Sequence, residues 1–181
     1  MLPPELTDAI IDNVADDKKA LSACSRVCKN WLVRSRVHLW KNIVLDSNHE
    51  TMRELSLFTD IMRDSPFLIT HIQHLELSYL DHSLADGVIN QLSALKSLKT
   101  LVLSMLEMGL QVRDGHTFSA SLERLVVSHT TFESMSEWHR LVAGLPSLQA
   151  LTIGSAVQFR RGKRVARLPS PSPSDPDAKF E

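Results

Sequence analysis

Ile72-x-x-Leu75-x-Leu77-Ser78, Leu98-x-x-Leu101-x-Leu103-Ser104, Leu122-x-x-Leu125-x-Val127-Ser128 and Leu148-x-x-Leu151-x-Ile153-Gly154 are one pattern written four times. The copies start 26, 24 and 26 residues apart. An earlier version, Trp40-x-x-Ile43-x-Leu45-Asp46, lies 32 residues before the first. The closing x-apolar-x-apolar stretch has the period of two that a short strand with one buried face requires. A small residue (Ser78, Ser104, Ser128, Gly154) closes each copy but the earliest.

Helix starts mark the spaces between copies. Thr51 with Glu54, Ser83 with Asp86 and Ser134 with Glu137 have the spacing of capping boxes. Apolar residues follow each at helical intervals. They are Leu55, Phe58 and Met62; Leu84, Val88, Leu92 and Leu95; and Trp138, Leu141, Val142 and Leu145. Pro66 and Pro146 lie near the ends of two of these helices. Residues 105–121 carry Gly109 and Gly115 and read as a loop. A strand and a helix recurring every 24–26 residues bury little alone. Stacked, they bury a common core. The fold expected is α/β, with parallel strands on one side and helices outside. These residues resemble leucine-rich repeats, a family of curved solenoids. The positions where many such repeats place Asn or Cys are Leu80, Leu106, Thr130 and Ala156 here, so a buried Asn ladder is absent. No capping helix is readable after Ala156. Either the product is truncated or a partner covers the open edge.

Upstream, Pro4 suits a first helical turn. Leu6, Ile10 and Val14 then fall on one face, with Ile11 beside them. Asp16-Asp17 can open a second helix in which Leu21, Cys24, Val27 and Cys28 share a face. Trp31, Leu32, Val37, Leu39 and Trp40 continue the apolar series. The order Leu2-Pro3-x-Glu5-Leu6, Ile10, Leu21, Val27-Cys28-Lys29-x-Trp31, Leu39-Trp40-x-x-Ile43 is similar to the F-box over nearly its whole length. That resemblance implies docking on a Skp-type adaptor, and through it on a cullin. The implied adaptor-contact positions are Leu2, Pro3, Leu6, Ile10, Val27, Cys28 and Trp31. A helical unit of some forty residues cannot bury all its apolar surface, and exposed apolar patches mark interfaces. Core packing is the competing role for Leu21, Val27, Trp31 and Trp40.

The expected organisation is therefore an F-box at 1–45, repeats at 46–157 and a tail at 158–181. The tail opens on Arg160, Arg161, Lys163, Arg164 and Arg167 and passes into alternating proline and small polar residues. It reads as disordered and solvated, with an import address or a nucleic-acid patch as alternatives for the basic run. The whole chain has a net charge of −1, but residues 158–181 hold six Lys/Arg against three Asp/Glu, which leaves 14 against 18 in residues 1–157, a body near −4. The acidic body argues against nucleic acid as a partner. No apolar run has the length needed to span a bilayer, and no secretory signal is read. Two cysteines, Cys24 and Cys28, read as reduced, buried thiols of a cytoplasmic or nuclear protein.

No phosphate loop or nucleophile elbow occurs. His71 and His74 lack further ligands, and His116, His129 and His139 are scattered. No catalytic residue, metal or cofactor is therefore expected. Stacked strands would align His74, Glu76, Thr100, Val102, Arg124 and Val126, with Ala150 and Thr152, along one outward face. In the resembled family such a face captures a target protein, whose identity the residues do not reveal; a solvated sheet face is the competing reading. The function implied is a substrate receptor of an SCF-type ubiquitin ligase, supplying no catalysis. The alternatives are a repeat scaffold that binds a protein without directing ubiquitylation, and a nucleic-acid-associated protein acting through the basic run.

Overall fold

The computed structural model describes residues 3–46, 52–79, 92–108, 120–132 and 134–159, with backbone alone for 52–55, 107 and 108. It is a mixed α/β fold with parallel strands. Three helices open the chain: α1 (Pro4–Asn13), α2 (Lys18–Cys24) and α3 (Lys29–Lys41). Strand β1 (Asn42–Asp46) follows α3 with no intervening loop, so the expected seam at residue 45 falls inside a strand. Then come α4 (Met52–Asp64), α5 (Pro66–Ile69), β2 (His74–Ser78), β3 (Thr100–Ser104), β4 (Glu107–Met108), β5 (Arg124–Ser128), β6 (Thr131–Phe132), α6 (Met135–Ala143), β7 (Ala150–Ile153) and β8 (Gln158–Phe159).

The main sheet has the order β1-β2-β3-β5-β7, every pairing parallel. Its register stacks the repeated apolar residues on one another. Ile43, Leu75, Leu101, Leu125 and Leu151 form one row, and Leu45, Leu77, Leu103, Val127 and Ile153 form the next. Leu45, Leu75, Leu77, Leu101, Leu103, Leu125 and Val127 of these rows, with Phe58 and Met62 of α4 and Leu141 of α6, lie in the core, and Ile43 packs against it half-buried. Backbone bonds repeat with the sequence. The carbonyls of Gln73, Lys99 and Glu123 each accept two N–H groups from the start of the next strand, at 2.8–3.0 Å. Ser134 caps α6 as expected, its hydroxyl oxygen accepting from the Glu137 N–H at 3.2 Å. Of the helix expected after Ser83, a 3-10 turn at Leu92–Ala94 lies in the described region. Residues 80–91, the Gly109–Gly115 segment and the tail from 160 lie outside it.

The small residue closing each strand is small for a steric reason. Ser78 and Ser104 are register partners, as are Ser104 and Ser128. The Ser128 hydroxyl donates to that of Ser104 at 3.3 Å. A Cβ on Gly154 would lie 2.8 Å from Ser128 Cβ, closer than carbon atoms can sit. Gly154→Ala should therefore cost about 1–3 kcal/mol, read as a lowered urea midpoint.

Beyond each small residue the chain turns through a left-handed residue, none of them glycine: Tyr79, Met105, His129 and Ala156, with φ of 48–58°. The N–H groups of Tyr79, Met105 and His129 donate to the carbonyls of Ser104, Ser128 and Ser155 in the following coil, at 2.9–3.2 Å. These turns deliver the chain to a second parallel sheet, β4-β6-β8. Strand β4 corrects the reading of 105–121 as loop from its start. Strand β8 lies at the start of the segment read as a disordered tail, so ordered structure runs past the expected seam at residue 157.

Corrections fall on the helices too. α2 ends at Cys24, where i to i−3 bonds from Arg26 and Val27 tighten the chain into a turn. The Ser25 hydroxyl closes it by donating to the Ser22 carbonyl at 2.8 Å. Val27 and Cys28 therefore do not extend the Leu21 face. Cys24 is half-buried and Cys28 is exposed, not buried. In α1 the buried residues are Thr7 and Ile11, one position on from the Leu6–Ile10 stripe. Pro66 starts α5 instead of only ending α4, because its fixed φ suits a first turn.

Candidate functional site

Two surfaces collect the residues singled out by sequence. The first lies on the N-terminal helical unit. α1 and α2 both pack on α3. Its small interior holds Ile11, Leu21 and Ser35, each fully buried. Leu6 is 54% exposed, Ile10 42% and Val27 62%. Pro3 and Cys28 are exposed as well, and Trp31 is half-buried. Leu2 lies outside the described residues. Trp40 packs half-buried against the strand core. Val33 of α3, not singled out by sequence, is also largely exposed. Its signal would have been its place off the buried face.

The α1–α3 packing is pinned by a three-group cluster. Arg34 donates through Nε and Nη2 to the two carboxylate oxygens of Asp12, at 2.7 and 2.6 Å. His38 Nε2 lies 2.7 Å from Asp12 Oδ1. Hydrogen bonds from Arg34 and then His38 hold the Asp12 carboxyl down at about 2, while Asp12 in turn raises the Arg34 guanidinium. A depressed carboxyl stabilises the fold above its unfolded range, and that contribution disappears as pH falls through the folded value. Wild type should therefore exceed Asp12→Asn in stability by a constant margin above about pH 4. The margin should close as pH falls towards 2. Urea midpoints across that window measure it.

The second surface is the outward face of the main sheet. His74, Thr100 and Arg124 are successive register partners, as are Glu76, Val102 and Val126. All are half-buried except Arg124, which is exposed. Asn42 and Ala150 extend the first row, Val44 and Thr152 the second. The face is thus a polar row beside one in which valines predominate. Its charges are few and mixed. At one end Lys99 and Glu123 form an exposed ion pair at 3.7 Å. Among the described residues no three His, Cys, Asp or Glu side chains group closely enough to hold a metal ion. Among them, too, no helix is long and apolar enough to cross a membrane.

Comparison with protein-family models, with curated proteins and with solved structures found no match.

Proposed function

We propose that this protein is the non-catalytic substrate receptor of an SCF-type ubiquitin ligase. The helical unit acts as an F-box that docks on a Skp-type adaptor and through it on a cullin. The strands that follow act as degenerate leucine-rich repeats that hold a target protein on their outward face. The observation that carries the reading is the exposure of Leu6, Ile10 and Val27 on a helical unit that buries Ile11 and Leu21 instead. Water-exposed aliphatic side chains favour burial by a partner. The mechanism is positional. Holding adaptor and target on one molecule raises the effective concentration of the target's lysines at the ubiquitin-charged enzyme.

The test is binding of the purified chain to a purified Skp-type adaptor. Binding that depends on Leu6 and Ile10 supports the receptor. A folded chain that does not bind overturns it and favours a repeat scaffold with no role in ubiquitylation.

A further inference from the structure

The two ends of the main sheet are finished differently. At the first, Trp40 of α3 packs against the core, and Leu45 is buried. At the last, among the described residues, no strand pairs with the open side of β7. Leu151 is 41% exposed and Ile153 56%. Their register partners Leu125 and Val127 are fully buried. Phe159, on the last strand of the second sheet, is exposed at the same end. The rows of the core therefore run out into solvent, beside an unpaired strand edge. Natural edges are usually blunted by charge or proline. This one is not: residues 141–159 contain no charged residue, and β7 contains no proline.

We infer that the β7 edge is the interface for a second copy of this chain, joined by antiparallel β7–β7 pairing across a two-fold axis at Thr152. Self-complementarity singles out this occupant. Directly opposed residues of an antiparallel pair point to the same face. With Thr152 opposite its own mate, Leu151 of one copy faces Ile153 of the other, and the reciprocal contact follows. Both apolar residues of each copy stay on the core side, so the two cores become continuous. An uncharged edge meets its own copy without like-charge repulsion, whereas a charged one would not. The chain after Phe159 is poorly suited to the same place. Its first eight residues include Arg160, Arg161, Lys163, Arg164 and Arg167, and the prolines that follow lack the N–H a strand must donate. A closed two-fold contact consumes both edges and stops at two copies.

Sedimentation of the full chain over a wide concentration range tests this. The expected species is twice the 20.3 kDa chain mass. Leu151→Lys places a charge on each side of the axis, against the apolar Ile153 of the other copy, and should weaken the dimer at least tenfold with an unchanged circular dichroism spectrum. Thr152→Cys, with Cys24 and Cys28 replaced by serine, should cross-link into a covalent dimer on mild oxidation, because the two-fold sets this residue against itself. A chain that stays monomeric at about 100 µM overturns the inference and leaves the edge to the chain's own residues after Phe159. Open-ended assemblies, or a dimer indifferent to Leu151→Lys and lacking the Thr152→Cys cross-link, overturn it as well.

Discussion

Phe132→Ala is expected to lower the stability of the repeat region by about 3–5 kcal/mol, the range for an aromatic residue removed from a closed core. Phe132 is fully buried on a strand only two residues long. Its ring meets Trp138 of α6 edge-on, with centroids 5.2 Å apart. On its other side it stacks on Phe159 of β8 at 5.9 Å. One side chain therefore ties the second sheet to a helix and to the final coil. Truncation removes both aromatic contacts and leaves a cavity in the middle of the stack. The loss is a large share of the 5–15 kcal/mol that holds a typical domain together. Phe159→Ala serves as the control. It removes one of the same two contacts from a partly exposed position, and about 1–2 kcal/mol is expected, below the Phe132 effect. Chemical denaturation of both variants gives the comparison. Similar losses would mean that Phe132 does not link these elements.

Phe132 was also the residue that the sequence pattern did not disclose. Two-residue strands are too short to establish a period, so β4, β6 and β8 left no apolar alternation to read. A weaker signal exists in the offsets. Met108 and Phe132 each follow the first strand leucine of their coil, Leu101 and Leu125, by seven residues. Phe159 follows Leu151 by eight, because the last turn carries one extra residue and its left-handed position moves to Ala156. The left-handed turns themselves were hidden, since Tyr79, Met105 and His129 are not the glycines that usually advertise them. What was legible rests on parity. Leu75, Leu77, Leu101, Leu103, Leu125 and Val127 alternate with polar or smaller residues, and a pairing register slipped by one residue would have turned them to solvent. Helix faces are less constrained. Leu6–Ile10 and Thr7–Ile11 have the same spacing and differ by one position, or about 100° of rotation. Choosing between them depends on the packing of α1 against α3, including the Asp12–Arg34 contact, which a single helix cannot reveal.

That same one-position difference yields the other large expected effect. Leu6→Asp with Ile10→Asp should reduce affinity for a Skp-type adaptor at least about 100-fold, the loss of two central apolar anchors at roughly 1.5–2 kcal/mol each. The unfolding midpoint should stay within about 0.5 kcal/mol of wild type, because both side chains already face water. Ile11→Ala, one residue away and fully buried, should behave in the opposite manner. Its cost is about 2–5 kcal/mol of stability, and its adaptor affinity should recover wherever the helical unit remains folded. The pair of variants separates docking from folding on a single helix. If the double variant binds the adaptor as wild type does, the exposed stripe of α1 is not a docking surface and the receptor assignment fails with it. If Ile11→Ala loses adaptor binding while still folded, contact runs through the opposite face of α1. The Thr7–Ile11 stripe would then have to leave its packing on α3 for the adaptor to reach it.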